Sequence, residues 1–289
     1  MGGPCRLRVD CEEPRLAEAA IAAAEAEVER LEARYSRYRE DSLISRINRD
    51  AGREPVAIDP ETAGLLAYAE QVWRQSEGLF DATSGVLRRA WNFRGNDLPS
   101  EAQLQPLLAL VGWERVRWSD TEVYLELSGM ELDLGGSVKE YACDAVAARL
   151  RALGVRHALI DLAGDMAAVG PQGDGSPWRI AIQHPEREAA IAWLPLTTGG
   201  LASSGDYRRC IKVDGKRYGH ILDPRSGWPV QGLVAASVVA PQCLVAGSAA
   251  TVALLKPAEA GLKWLGGLGL PWLALDAGMS VHGSDVLDD

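Results

Sequence analysis

The chain has 289 residues, 47% hydrophobic and 24% charged, the make-up of an ordinary globular enzyme rather than of a disordered chain. Its formal net charge of -10 argues against a nucleic-acid or anionic-membrane surface, because phosphate backbones are bound by concentrated Lys and Arg, though a local basic pocket stays compatible with it. Five scattered cysteines without a CxxC pair indicate neither a zinc site nor a paired disulfide framework.

Met1 to Asp10 lacks the basic leader and apolar stretch of a secretory signal. The expectation for the sequence as it stands is therefore a cytoplasmic protein, with export of a longer precursor left open. No segment supplies the roughly 20 apolar residues that span a bilayer. Residues 14–36 place Leu16, Ala20, Ala24, Val28, Leu31 and Tyr35 on one face, which predicts an amphipathic helix. Asp59-Pro60-Glu61 has an N-cap residue followed by Pro at the first helical position and predicts a second helix running to Gly78.

Beyond Trp113 the pattern shortens to strand-like runs at 116–118, 123–127 and 130–134. Gly135-Gly136-Ser137 interrupts them, and Ser137 is placed to cap a helix from about Val138 to Leu153, with Gly154 as its stop. Strands are predicted at 157–162, 178–183, 191–196, 208–213, 218–222 and 233–240. A helix over 246–256 and a hairpin-like stretch from Leu273 follow. Strands and helices mix without βαβ alternation, so the reading is an α+β fold, one compact domain over 1–289 with mixed sheets and packed helices.

Four glycine-rich polar segments adjoin these strands: 80–85, 133–144, 202–207 and 218–227. In the second, a helix N-terminus with Lys139 in its first turn makes an anion site suited to a pyrophosphate, but a plain strand, turn and capped helix needs no ligand at all. It matches neither GxGxxG nor GxxxxGK[ST]. His220 has a side chain whose pKa suits proton transfer, and equally reads as a turn-flanking histidine. Asp223-Pro224-Arg225-Ser226-Gly227 taken alone is a good turn, and Ser203 and Ser204 read equally as turn residues.

The order and spacing of these segments resemble the FAD:protein FMN transferases, once described as thiamine-biosynthesis lipoproteins. The likeness starts at Met1-Gly2-Gly3, which looks like the family's first strand. It continues through Tyr35 to Tyr38, Asp41-Ser42, Arg46 to Asn48, Gly78 to Thr83, Lys139 to Asp144, Leu162 to Asp165, Pro177 to Ile180, Ser203 to Tyr207 and His220 to Pro229, covering roughly residues 1–275. It implies a central FAD cleft and an enzyme that, with Mg²⁺, moves FMN from FAD to a Thr or Ser hydroxyl of an acceptor flavoprotein and releases AMP. It further implies catalytic roles for His220 and Asp223. Contacts to FAD would come from Asn48, Thr83, Lys139, Glu140, Asp144, Ser203, Ser204, Asp206 and His220, and to the metal from the Ala163 carbonyl and Thr251.

Two positions depart from the family pattern. The run Ala-Asp-x-x-x-Thr, whose Asp and Thr share a helix face toward the metal, is here Ala246-Gly247-Ser248-Ala249-Ala250-Thr251, so Gly247 replaces the carboxylate. Glu140 stands where the family usually has Gly; it can neutralise Lys139, line the cleft or supply the missing carboxylate, for which Asp165 and Asp206 are further candidates. Two other functions are carried beside the transferase: a non-catalytic FAD-binding or flavin-carrier protein, and an FAD pyrophosphatase that uses water as acceptor.

Overall fold

The computed structural model describes residues 3–284 apart from Arg94, Asn96, Glu186, Glu188, Tyr207 and Arg208. Met1, Gly2, Tyr207 and Arg208, which the sequence reading drew into its segments, lie outside the described residues. The architecture is α+β, as expected, and every described strand pairing is antiparallel. Contacts divide the chain into two compact units, one of residues 1–32, 136–207 and 232–289, the other of 33–135 and 208–231. No helix among the described residues is long and apolar enough to cross a membrane.

The first unit is built on a seven-stranded sheet in the order β1-β5-β6-β9-β12-β13-β14. With elements numbered along the chain, these are β1 (Cys5–Val9), β5 (Ala158–Leu162), β6 (Asp165–Val169), β9 (Gly199–Gly205), β12 (Ala235–Ala240), β13 (Trp272–Leu275) and β14 (Val281–Gly283). Among the described residues the first strand begins at Cys5, and Gly3 is not part of it. Helices α5 (Val138–Ala152) and α6 (Cys243–Leu255) pack on β5, β6, β9 and β12, and α7 (Ala258–Gly267) packs on α6. The long α1 (Pro14–Tyr35) also lies mostly in this unit.

Strand alternation separates the two faces of that sheet. Gly200 in β9 faces α6, and a Cβ built there would come within 2.5 Å of the Cys243 backbone. Its neighbour Leu201 points the other way, into a core formed with Ala168, Leu273, Leu275 and the hairpin of β7 (Trp178–Gln183) and β8 (Ala190–Leu196). That hairpin buries Trp178, Ile180, Ile182, Leu194 and Leu196, alternate residues of each strand.

The second unit holds α2 (Leu43–Arg49), α3 (Pro60–Gln75) and α4 (Glu101–Leu108). With them are the three-stranded sheet of β2 (Val56–Ala57), β3 (Val116–Trp118) and β4 (Glu122–Leu125) and the hairpin of β10 (Cys210–Val213) and β11 (Lys216–Gly219). Asp59 caps α3 as expected, its carboxylate accepting the Thr62 N–H at 2.9 Å. Residues 130–134 are not a strand. The amide of Asn48 in α2 takes over the pairing of Leu132, donating to its carbonyl at 3.0 Å and accepting its N–H at 2.7 Å. The Asp133 N–H goes to the Ala82 carbonyl at 2.8 Å.

Candidate active site

In the first unit the polar side chains gather where α5, β6, β9 and α6 pack together. Lys139, in the first turn of α5, forms an ion pair with Asp165 at the start of β6. The second oxygen of Asp165 accepts the Ser203 N–H of β9 at 3.2 Å. Asp165 is 2% exposed, and a carboxylate buried to that degree persists as an ion only when paired and hydrogen-bonded. Ser137 occupies the N-cap position but makes no capping bond, because ψ of -33° there is not the extended backbone that aims a cap at the helix N–H groups.

Glu140, next along α5, is 7% exposed. One carboxylate oxygen lies 4.0 Å from the Lys139 ammonium, and the other has no hydrogen-bond partner among the described residues. Burial pushes its pKa above the usual carboxylate range, against the opposing pull of Lys139. The Glu140 side chain lies against Gly247 of α6: a Cβ built on Gly247 would sit 2.5 Å from its Cγ and 3.0 Å from its Cδ. One turn further along α6, the Thr251 hydroxyl is hydrogen-bonded to Ser204 at 2.7 Å. Ser203 and Ser237 share a similar bond at 2.7 Å.

Asp144 serves a different end. Its two oxygens accept the N–H groups of Cys243 at 2.8 Å and Leu244 at 2.9 Å, so it caps α6 from the neighbouring helix. Asp206 is buried at the end of β9, its N–H donating to the Val234 carbonyl at 3.1 Å. Ala163 holds a left-handed φ of 57° in the exposed turn joining β5 to β6, beside Gly164 at 99°. Left-handed backbone is uncommon for a residue with a Cβ, and it turns the chain so that β6 starts with Asp165 facing α5.

The second unit carries the other candidates. Asn48 is engaged with Leu132 as described. Thr83 is fully buried; its hydroxyl bonds the Asp81 carboxylate at 2.6 Å and accepts the Gly112 N–H at 2.8 Å. Asp81 also accepts the Trp113 N–H at 3.0 Å, so segment 80–85 is hydrogen-bonded to the Gly112-Trp113 stretch that joins α4 to β3. The Asp223 carboxylate accepts the Arg225 N–H at 2.9 Å and pairs with its guanidinium at 3.0 Å, which fixes the Asp223-to-Gly227 turn.

His220 follows β11 directly and is half-buried, with its Nδ1 free of hydrogen-bond partners among the described residues. Its ring stands edge-on to Phe93, centroids 6.4 Å apart, beside a cluster in which Trp91 stacks on Phe93 and meets Trp228 edge-on, each at 5.4 Å. Burial and the nearby charge of Arg209 hold its pKa below the ordinary value, which favours the neutral imidazole. Sequence reading singled out His220 but not the aromatics behind it. Nor did it make Asp165 the partner of Lys139, since β6 carried no strand signal.

A family model described as the ApbE family matches residues 1–271. The chain belongs to the ApbE family. Among curated relatives it is 30% identical over 242 residues to the FAD:protein FMN transferase of Vibrio cholerae serotype O1, covering 81% of this chain and 72% of that one. It is 32% identical over 240 residues to that of Haemophilus influenzae, covering 78% and 69%. Among solved structures, the flavin transferase ApbE from Vibrio cholerae superposes with a TM-score of 0.88 at 26% identity, covering 99% of this chain and 95% of the other. The apo form of the Pseudomonas stutzeri flavinyl transferase ApbE gives 0.88 at 30%, covering 99% and 92%.

Proposed function

We propose that this chain is an FAD:protein FMN transferase that, with Mg²⁺, moves FMN from FAD to a Thr or Ser hydroxyl of an acceptor flavoprotein. The observation that carries this reading is the group in the first unit where Lys139, Asp165 and Glu140 meet beside the hydroxyls of Ser204 and Thr251. It combines a cation in a helix first turn, which suits a pyrophosphate, with a buried carboxylate oxygen that has no hydrogen-bond partner among the described residues. Such residues fit a divalent cation, since Mg²⁺ is commonly held by one or two carboxylates together with substrate phosphates.

In the reaction, the acceptor hydroxyl oxygen bonds to the flavin-side phosphorus, the P–O bond to AMP breaks, and the hydroxyl proton passes to a base. Lys139 and the N–H groups opening α5 bind and orient the pyrophosphate. Thr251 and the Ala163 carbonyl would hold the metal ion, which when bound neutralises charge building on the phosphoryl oxygens. The family resemblance assigns the proton to His220 of the second unit, whose pKa burial holds below the ordinary value. Ser203, Ser204 and Asp206 are assigned to the nucleotide. Asn48 and Thr83 support the flavin side through the backbone they tie down.

The test is to incubate the protein with FAD and Mg²⁺, with and without a threonine-containing acceptor, and to follow AMP and acceptor mass. Acceptor heavier by FMN with stoichiometric AMP is expected. FAD bound but unchanged would make the protein a flavin carrier, and AMP plus free FMN without acceptor would make it a pyrophosphatase.

A further inference from the structure

We infer that Glu140, reaching from α5 into the side-chain space of Gly247 on α6, is the carboxylate this chain offers to a divalent cation, and that Gly247 is glycine to admit it.

Gly247 lies inside a buried helix, where glycine costs about 1 kcal/mol relative to alanine. Its backbone gives no reason for that cost, since it is not among the residues with positive φ. Space gives one. A Cβ at this position would sit 2.5 Å from Glu140 Cγ, 3.0 Å from Cδ and 3.1 Å from Oε1, and the first of these is closer than real Cβ contacts come. The carboxyl carbon of an aspartate lies a single C–C bond of about 1.5 Å beyond its Cβ. The carboxyl group of Glu140 therefore fills the volume that an aspartate side chain at position 247 would need, and the two cannot coexist without one moving.

The second observation is Glu140 itself. A carboxylate 7% exposed with one oxygen lacking any hydrogen-bond partner among the described residues calls for an explanation. Lys139 does not satisfy it, because its ammonium is 4.0 Å away and engaged with Asp165. A carboxyl group buried in this way is tolerated either protonated or as the ligand of a cation. Position 247 and Thr251 are four residues apart and share a face of α6, so Glu140, entering over Gly247, brings its charge to the face that carries the Thr251 hydroxyl. The ligand set then draws its charge from α5 and a neutral oxygen from α6.

This inference rests on the proposed reading that the first unit takes a pyrophosphate with a divalent cation, so the experiment reads the two separately. FAD affinity, measured by flavin fluorescence in chelator, reports the nucleotide site. Mn²⁺ affinity, measured by electron paramagnetic resonance with saturating FAD and no acceptor, reports the cation. In the wild type one Mn²⁺ per chain is expected. Glu140→Gln, nearly the same in shape, should weaken Mn²⁺ at least about tenfold, the least that disturbing a ligand shell costs, and by more than it changes FAD affinity in chelator.

Gly247→Asp alone should lower the melting temperature, because two side chains compete for one volume. Glu140→Gly/Gly247→Asp should recover both the melting temperature and Mn²⁺ binding. Mn²⁺ affinity unchanged in Glu140→Gln, or a wild type that binds FAD but no Mn²⁺, would overturn the inference and leave the nucleotide site standing. A wild type that binds no FAD would overturn both.

Discussion

The carboxylate of Asp144 on α5 receives the backbone N–H of Cys243, the first residue of α6, at 2.8 Å, and that of Leu244 at 2.9 Å. The residue at the N-cap of α6, Gln242, makes no capping bond, so a neighbouring helix supplies what the local sequence does not. Asp144→Ala should therefore lower stability by about 1–2 kcal/mol, the range of a lost N-cap, and Asp144→Asn by less. Denaturant unfolding checks this. A folded Asp144→Asn whose FAD affinity falls more than tenfold would mean that the carboxylate acts on the ligand instead.

Lys139 is held by a carboxylate that is itself almost fully buried. Removing one partner of a fully buried pair strands the other at about 3–5 kcal/mol, and less is expected here because the Lys139 side chain is 29% exposed. Lys139→Ala should thus unfold at markedly lower denaturant. Assayed where it remains folded, it should bind FAD more weakly by about 1.5–3 kcal/mol, the range for a hydrogen bond to a charged group. Calorimetry showing destabilisation with unchanged FAD affinity would confine Lys139 to the service of Asp165.

His220 sets a pH expectation. Its pKa is depressed in the folded protein by burial and Arg209, so between the folded and unfolded values the unfolded chain binds more protons. Stability is then fully present above about pH 6.5, the unfolded value, and declines as pH falls below it toward the folded pKa. Activity that needs the neutral imidazole should persist below pH 6.5 for the same reason. His220→Asn should lower turnover by roughly 10²–10⁴ with FAD binding nearly intact. An NMR titration placing His220 above 6.5 would contradict both statements.

At Gly200, β9 packs close against the start of α6. An added Cβ would meet Cys243 N and Cα at 2.5 Å, and backbone atoms cannot step aside as a flexible side chain can. Gly200→Ala should cost about 1–3 kcal/mol or more, the range for overpacking. A thermal melt within 1 °C of wild type would show that β9 and α6 are free to separate.

Where the chain announces its structure by period and punctuation, the sequence is readable: the apolar face of α1, the Asp59-Pro60 start of α3 and the Gly154 stop of α5 were all legible. β9 reads Gly-Gly-Leu-Ala-Ser-Ser-Gly, a poor strand by propensity. It is a strand because a helix packs where side chains would stand. The extended run 130–134 erred the other way, since Asn48, far off in sequence, supplies its hydrogen bonds. In the candidate site, Lys139, Glu140 and His220 were identifiable from their neighbours in sequence. The tie between Lys139 and Asp165, and the seat of Glu140 on Gly247, are contacts between elements, and spacing within one segment carries no trace of them.

The outermost strand of the seven-stranded sheet has a consequence for synthesis. β1 is made first, but its hydrogen-bonding partner β5 begins only at Ala158. At ribosomal rates of ~5–20 residues per second, roughly 150 residues of intervening chain keep β1 waiting on the order of ten seconds. Its companion strands β13 and β14 begin only at Trp272 and Val281. The second unit is also completed late, since residues 208–231 belong to it. Neither unit can finish folding while its own early portion is newly emerged, so the nascent chain carries an unpaired strand edge through most of its translation, the kind of surface that chaperones shield.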